Sequence, residues 1–224
     1  MAKEIVIFGN TDIARLACHY FRTDTDRAVA AFCVDDDWCK SSSFCELPLV
    51  PFSRIGEYPA DRFDVFVAMG YGGLNAGRKS VFQRLEGMGY GFASYISSRA
   101  SVLNGGRIGR NAFIMEDNTI QPFSEIGDDV VMWSGNHIGH DSRIGSHCFL
   151  TSHVVVSGYV EVGEQCFLGV NSALRDGVKV GARSIVGAGA LILADLPEAS
   201  VCIERGTKPL PMRSDEFLAS GFSL

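Results

Sequence analysis

Residues 136–145 read NHIGHDSRIG, and this stretch belongs to a six-residue repeat that decides the fold. An aliphatic residue stands at every sixth position from Ile96 to Ile192, without an insertion or a deletion. A short fixed period predicts a parallel β-helix, in which each repeat forms one short strand and one corner. It argues against an antiparallel β domain with chance spacing. The aliphatic positions are Ile96, Val102, Ile108, Ile114, Ile120, Ile126, Met132, Ile138, Ile144, Leu150, Val156, Val162, Leu168, Leu174, Val180, Val186 and Ile192.

A second series of positions lies four residues after each aliphatic residue and holds mostly small side chains. Both series are expected to point into a narrow triangular tube. Three repeats close one coil, so residues 18 apart are expected to stack on adjacent coils. The glycine after many aliphatic residues, as in Ile138-Gly139, is expected where the backbone bends. The small positions are Ala112, Asn118, Ser124, Val130, Asn136, Ser142, Cys148, Val154, Val160, Cys166, Ser172, Val178, Ser184 and Ala190.

The composition restricts the partners of the chain. Its 224 residues suit one or two domains, and 46% hydrophobic residues suffice for a core. A net charge of −6 without a basic run argues against nucleic acid and against an anionic membrane surface. No apolar stretch is long enough to cross a bilayer, and the first residues lack the apolar core of a signal peptide. These features predict a cytoplasmic protein.

The seven cysteines are scattered, and no Cys-x-x-Cys pair occurs. We therefore expect no zinc site. Cys148 and Cys166 occupy small inward positions one coil apart, which predicts two reduced thiols stacked inside the tube.

Residues 1–92 predict a small Rossmann-like domain, because strands alternate with helices. Three loops would meet at the carboxyl ends of its parallel strands, where such sheets bind ligands. They are Gly9–Asp12 with Asn10, Asp35–Asp37 with Asp36, and Gly70–Gly73 with Tyr71. A nucleotide site and ordinary turns remain equal alternatives, and the missing G-x-G-x-x-G pattern argues against a redox dinucleotide. The expected strands are 3–9, 28–34 and 63–69, and the expected helices are 13–21 and 76–86.

The other boundaries follow the repeat. Residues 93–196 are predicted to form the β-helix, with residues 87–106 as a rigid connection into the first coil. Residues 197–224 leave the period and contain Pro197, Pro209 and Pro211. We expect this tail to cap the open end of the tube, with a short helix near residues 216–218.

His140 and Asp141 are the candidate catalytic pair. His140 lies two residues after an inward Ile138, near a corner, so its side chain can face outward. An imidazole beside a carboxylate is suited to act as a general base. Gly158 lies one coil later and would stack over His140, with a bare N–H group that can stabilise an oxyanion. The base and this donor would be one coil apart, about 5 Å. This arrangement predicts acyl transfer.

The other histidines are assigned structural roles. His137, His147 and His153 are expected to be surface or interface hydrogen-bonding groups, and His19 is expected on the surface of the first helix. A three-histidine zinc site like that of the β-helix carbonic anhydrases needs spacings that this chain does not have, and Asn104 lies two coils before His140. No bound metal is predicted.

The run 136–145, with Gly169-Val170-Asn171-Ser172 and Gly187-Ala188-Gly189-Ala190, resembles the NeuD/PglD-type sugar acyltransferases. The resemblance covers nearly the whole chain. It implies a Rossmann-like domain followed by a left-handed β-helix, a homotrimer, and acetyl transfer from acetyl-CoA to the amine of a nucleotide-linked amino sugar in glycan biosynthesis.

Carried over residue by residue, the resemblance makes His140 and Asp141 the base and its partner, and Gly158 the oxyanion donor. Asp35, Asp36 and Gly70 would contact the sugar nucleotide. Coenzyme A would lie between subunits with its thioester near Gly158 and would pass Gly187, Ala188 and Gly189. Arg183 and Lys208 are candidates for its phosphates.

One departure leaves the acceptor open. The family's first loop carries a histidine that contacts the sugar nucleotide, whereas this chain reads Gly9-Asn10-Thr11-Asp12. Transfer to a hydroxyl of a sialic-acid-like sugar would use the same base. A non-catalytic β-helix scaffold is a further alternative, but a scaffold has no use for the His140–Asp141 pair.

Overall fold

The computed structural model describes residues 3–204, 206 and 211–219. Its first part is an α/β layer with one six-stranded sheet, in the order β3-β4-β2-β1-β5-β6. All pairs are parallel except β3 with β4. The elements are β1 (Glu4–Phe8), α1 (Asp12–Asp24), β2 (Val29–Val34), β3 (Ser43–Phe44), β4 (Leu47–Pro51), β5 (Phe63–Val67), α2 (Ala76–Gly87) and β6 (Gly91–Phe92), with short 3-10 helices at Asp36–Trp38 and Phe52–Glu57.

The predicted strands and helices of this part are confirmed, and both helices are longer than expected. The sequence pattern did not predict β4, which pairs in parallel with β2. Pro48 and Pro51 obscured it, because proline is usually a sign against a strand with neighbours on both sides. Here β3 covers only two residues of β4, at Pro48 and Leu47.

The second part is a parallel β-helix with three faces that the chain visits in turn. Face 1 consists of Tyr95–Ile96, Phe113–Ile114, Val131–Met132, Phe149–Leu150, Phe167–Leu168, Ile185–Val186 and Val201–Cys202. Face 2 consists of Ser101–Val102, Thr119–Ile120, His137–Ile138, Val155–Val156, Ala173–Leu174 and Leu191–Ile192. Face 3 consists of Glu125–Ile126, Arg143–Ile144, Glu161–Val162 and Lys179–Val180.

The predicted length of the coil, three repeats, is confirmed. Thr119 pairs with His137, and His137 pairs with Val155, in the same register as the other coils. The small inward positions from Ala112 to Ala190 are all at most 5% exposed. The aliphatic positions from Ile114 to Ile192 are buried as well, whereas Ile96 is 38% exposed because no coil precedes it. Cys148 and Cys166 are buried free thiols, as expected, and burial raises the pKa of Cys148.

The expectation that the backbone bends at the repeat glycines is wrong. The corners bend at a left-handed residue two positions later, such as His147 with φ 62° after Gly145. A Cβ on Gly145 would lie 2.7 Å from the backbone nitrogen of Glu164 on the next coil. Glycine is therefore required at these positions because adjacent coils approach closely, and the bend itself tolerates larger residues.

The pairing of face 1 continues beyond residue 196. Val201, rather than Ile203, pairs with Ile185, so the last coil is shorter than the others. A helix, α3, follows at Ser214–Ala219, and residues 211–216 are exposed. The division into domains and the capping role of the tail stay predictions. In the part of the chain that the structure describes, no helix is long and apolar enough to cross a membrane.

The first part of the chain packs on face 1. Phe113 and Phe149 point outward from this face and are buried in one cluster with Phe21 and Phe66 of the α/β layer. Tyr95 joins the same cluster, with its ring stacked 5.0 Å from that of Tyr20. Burial of these aromatic side chains is the main apolar contact between the two parts.

A buried ionic network joins the same two parts. Arg78 of α2 contacts Asp129 at 3.1 Å, and both side chains are fully buried. The same carboxylate contacts Nδ1 of His147 at 2.9 Å, and its other oxygen accepts a hydrogen bond from Asn111 at 2.7 Å. Arg78 also donates to the carbonyl oxygens of Asp129, His147 and Cys148. Every charged group of the network thus has a partner, which a buried charge requires.

Replacing Asp129 with asparagine should destabilise the fold by about 3–5 kcal/mol, because Arg78 would keep its buried charge without a counter-charge. Asparagine tolerates the left-handed backbone at this position, where φ is 56°, so the change isolates the charge. Chemical denaturation measures the free energy of unfolding. The control is Glu125→Gln, which removes an exposed ion pair with Arg143 and should cost under about 1 kcal/mol. Equal losses for the two variants would contradict the assignment.

Candidate active site

His140 and Asp141 lie at the corner between faces 2 and 3. The Nδ1 atom of His140 is 3.0 Å from Oδ2 of Asp141, and the two side chains are 49% and 38% exposed. Asp141 is the left-handed residue of this corner, with φ 56°. The contact leaves Nε2 of His140 as the nitrogen available to a substrate, because a carboxylate at Nδ1 fixes the tautomer of the ring.

Gly158 lies beneath the imidazole, one coil further on, as predicted. A Cβ at Gly158 would be 2.8 Å from Nε2 of His140, so any larger residue would displace the ring. The N–H group of Gly158 is not bare, contrary to expectation. It donates a hydrogen bond of 2.8 Å to Oδ1 of Asp176, the residue at the same corner on the following coil.

Two exposed aromatic residues flank this corner. Tyr159 is 61% exposed and meets the ring of His140 edge-on, with the ring centroids 5.0 Å apart. Phe123, at the same corner on the preceding coil, is 64% exposed. Both lie one coil from Asp141, and counting by coils would have identified them. Single exposed aromatic residues are common, but this pair borders the candidate base.

The remaining histidines have other surroundings. His147 is buried against Asp129, and His137 is half-buried on the outside of face 2. His153 is exposed above Gly135, and His19 is exposed on α1. Among the residues that the structure describes, no group of three or more His, Cys, Asp or Glu side chains is placed to hold a metal ion.

The three loops of the α/β layer meet at a cavity of about 240 Å3. Gly9 has φ 136°, and a Cβ there would lie 2.5 Å from the carbonyl oxygen of Ala68, so the crevice requires glycine. Trp38, which the sequence pattern did not indicate, is 69% exposed at its rim. The lining residues are Phe8, Gly9, Asn10, Thr11, Val34, Asp35, Trp38, Ala68, Met69 and Gly70.

The N-terminus of α1 opens at this cavity. Thr11 is its N-cap residue, and its side chain does not bond the first turn. The side chain of Asn10 turns to the carbonyl oxygen of Trp38, at 3.3 Å. The first N–H groups of a helix attract anions such as phosphate, particularly when no side chain caps them.

Asp36 and Tyr71, two of the residues predicted to lie at this site, do not line the cavity. Asp36 accepts a hydrogen bond of 2.9 Å from the backbone N–H of Ser53, which lowers the pKa of its carboxyl group. Tyr71 lies outside the cavity, with its ring 5.1 Å from Phe149 and 4.9 Å from Phe167 of face 1. Asp35 does line the cavity, but its carboxylate is paired with Arg84 at 2.6 Å.

The predicted coenzyme residues lie at other corners of the same chain. Gly187, Ala188 and Gly189 follow face 1, at the corner that leads to face 2. Arg183 lies at the corner between faces 3 and 1 and forms an ion pair with Glu198. Lys208 lies outside the described residues. One chain therefore does not bring these residues to His140.

Comparison with known proteins identifies the repeat. The family described as hexapeptide repeat of succinyl-transferase matches residues 159–194. A search of curated proteins finds no match to the sequence.

Several solved structures match nearly the whole chain. PerB from Caulobacter crescentus, in complex with CoA and GDP-perosamine, is 28% identical, with a TM-score of 0.81 over 91% of this chain and 95% of that one. The acetyltransferase domain of PglB from Neisseria gonorrhoeae is 21% identical, with a TM-score of 0.80 over 93% and 100%. WeeI from Acinetobacter baumannii is 18% identical, with a TM-score of 0.76 over 89% and 96%. The last two show likeness of fold alone.

The resemblance seen in the sequence is thereby confirmed: the chain carries the hexapeptide repeat and has the fold of the sugar acetyltransferases it resembles, with a Rossmann-like first part and a left-handed β-helix.

Proposed function

We propose that the protein transfers an acetyl group from acetyl-CoA to the amine of a nucleotide-linked amino sugar. The observation that carries the proposal is the His140–Asp141 pair, stacked over the backbone of Gly158 at an exposed corner. The 28% identical PerB structure, which holds CoA and GDP-perosamine, supports both substrate classes. A cytoplasmic location is part of the proposal.

The reaction is a direct transfer at the corner. The free amine of the sugar attacks the carbonyl carbon of the thioester, and Nε2 of His140 takes the proton that the amine loses. Asp141 holds the Nδ1–H group and stabilises the imidazolium ion. The tetrahedral intermediate then collapses, the carbon–sulfur bond breaks, and CoA leaves as a thiol with the proton that Nε2 of His140 had taken. A new amide bond replaces the thioester.

The backbone N–H of Gly158 is the proposed donor to the oxyanion. It is the amide next to Nε2 of His140, because the two residues occupy the same corner on adjacent coils. Hydrogen bonds from a fixed N–H group stabilise the charge that develops on the carbonyl oxygen. The amide can act in this way once Asp176 has released it.

The cavity of the α/β layer is the proposed site for the nucleotide part of the acceptor. The uncapped N-terminus of α1 offers N–H groups for the phosphates. Trp38 offers an exposed ring at the rim, where a base can stack. Gly9 and Gly70 keep the floor of the cavity open. The proposed roles of Asp36 and Tyr71 are withdrawn from this site, since neither lines the cavity.

The base and the cavity belong to different sides of one chain. The α/β layer packs on face 1, whereas His140 lies at the corner between faces 2 and 3, which is the corner opposite face 1. We therefore infer that the complete site forms between the cavity of one chain and the corner of a neighbouring chain. A closed symmetric ring of three chains would repeat this site three times.

The outer surfaces of the faces support this assembly. Face 3 is charged, with ion pairs between Arg143 and Glu125 and between Lys179 and Glu161. Face 2 instead exposes Val155 and Leu191, at 42% and 62%. Face 2 is the proposed contact between chains, and it runs between the corner of His140 and that of Gly187–Gly189. Coenzyme A would bind where these two corners of neighbouring chains meet.

The proposed reaction is tested by thiol release from acetyl-CoA with a panel of acceptors. The panel contains nucleotide-linked amino sugars, free amino sugars, and sugars that offer only hydroxyl groups. We expect turnover with an acceptor of the first class. Turnover only with a hydroxyl acceptor would overturn amine transfer, and no turnover with any acceptor would overturn the enzyme assignment.

His140→Ala should lower kcat by about 100-fold to 10,000-fold, because the amine would lose its general base. The Michaelis constant for acetyl-CoA should change little, since the backbone of Gly158 is unaltered. His19→Ala on the outer side of α1 is the control and should keep full activity. Steady-state kinetics at saturating acceptor give both constants. Full activity of His140→Ala would show that the base is a different group.

Gly70→Leu should raise the Michaelis constant of the sugar nucleotide about 10-fold or more, corresponding to about 1.4 kcal/mol of binding. A Cβ at Gly70 lies 3.5 Å from Ile13, an ordinary contact, so the leucine side chain fits but occupies the cavity. Gly72→Leu is the matched control, because a Cβ there meets nothing within 4 Å and the residue does not line the cavity. Equal effects of the two changes would place the nucleotide elsewhere.

A further inference from the structure

The corner that carries His140 holds a third functional group, the carboxylate of Asp176. Asp176 is one coil beyond Gly158 and two coils beyond His140. Its Oδ1 atom accepts the N–H of Gly158 at 2.8 Å, and the side chain is exposed. Neither the repeat pattern nor the comparisons assign a role to this residue.

The carboxylate of Asp176 occupies the position that the thioester oxygen needs in the proposed reaction. A carbonyl oxygen bound to the N–H of Gly158 would sit about 2.7–3.1 Å from its nitrogen. The oxygen of Asp176 is already at that distance and in that direction. The carboxylate and the thioester oxygen therefore compete for the same donor. A carboxylate that stayed beside the amide would also repel the oxyanion.

At another corner, a hydrogen bond from a backbone N–H to a carboxylate has a structural role. The carboxylate of Asp128 accepts the backbone N–H of Arg110, one coil earlier, at 2.7 Å. Asp128 is also held by the guanidinium group of Arg110, and its side chain is only 29% exposed. Asp176 has no such second anchor, since it makes no ion pair and no other side-chain hydrogen bond within the described residues. It can rotate away from the amide at the loss of one contact.

We propose that Asp176 is a positioning residue, an inference that rests on the proposed acetyl transfer. Its carboxylate accepts the N–H of Gly158 in the free enzyme and gives up this hydrogen bond when the thioester carbonyl binds. In the free enzyme the bond satisfies the N–H group and keeps the corner in shape. Acetyl-CoA must displace the carboxylate, whereas CoA has no acyl oxygen and leaves the bond in place. After the transfer, Asp176 returns to the amide while CoA departs.

The test compares the binding of acetyl-CoA and of CoA to the full-length protein without acceptor, by calorimetry. Asp176→Ala should tighten acetyl-CoA binding about 10-fold, corresponding to about 1.4 kcal/mol, and leave CoA binding unchanged. Asp176→Asn keeps an acceptor oxygen without the charge and should fall between the wild type and Asp176→Ala. With saturating acceptor, the Michaelis constant for acetyl-CoA should fall in the same order.

Asp195→Ala is the matched control. Asp195 accepts the backbone N–H of Lys179 at 2.8 Å, a bond of the same kind on the next coil, away from His140. Its loss should not change the ratio of the two dissociation constants. A ratio that stays constant in both Asp176 variants would overturn the inference, whether binding of the two ligands changes together or not at all. Failure of the wild type to bind either ligand would instead overturn the proposed function, on which the inference rests.

Discussion

The structure depends on one constraint, the coil of three repeats whose backbone pairs with the coils on either side. With this count fixed, a residue's position in the sequence determines its face, its direction and its neighbours above and below. Thr119, His137 and Val155 follow one another on face 2 for this reason. The same count stacks Gly158 and Asp176 in line with His140. The chemistry at the corner is thus a consequence of the repeat and needs no separate loop.

The buried network around Arg78 fixes the position of the α/β layer on the β-helix. The guanidinium group contacts Asp129 at 3.1 Å and the carbonyl oxygen of Gly70 at 3.4 Å. The side chain of Asn111 bonds both the N–H and the C=O of Val67, at the end of β5. The cavity floor is therefore attached to the β-helix on two sides. A rigid attachment matters here, because the proposed acceptor must meet a base on another chain and catalysis depends on positioning.

The sequence predicted the features that follow from counting along the six-residue repeat. The inward positions, the register, the burial of Cys148 and the stacking of His140 over Gly158 all agree with the structure. Features that depend on contacts between elements were not predictable in this way. Asp176 was missed because counting places it one coil beyond Gly158 but does not show that its side chain turns back to bond the amide. Trp38 was missed because it ends a short 3-10 helix just after the predicted loop Asp35–Asp37. The repeat glycines were misread because close approach of coils and bending both favour glycine.

The central claim is that the base and the sugar-nucleotide cavity of one active site come from two different chains. Coexpression of His140→Ala with Gly70→Leu, each carrying a different tag, and purification of the mixed assembly tests it most directly. In a ring of three chains that contains both variants, one of the three interfaces should be intact, because only one of them takes its base from a Gly70→Leu chain and its cavity from a His140→Ala chain. Activity near a third of the wild-type value, at an acceptor concentration near the wild-type Michaelis constant, is the predicted result. Mixed assemblies that are no more active than the average of the two separate variants would contradict the account.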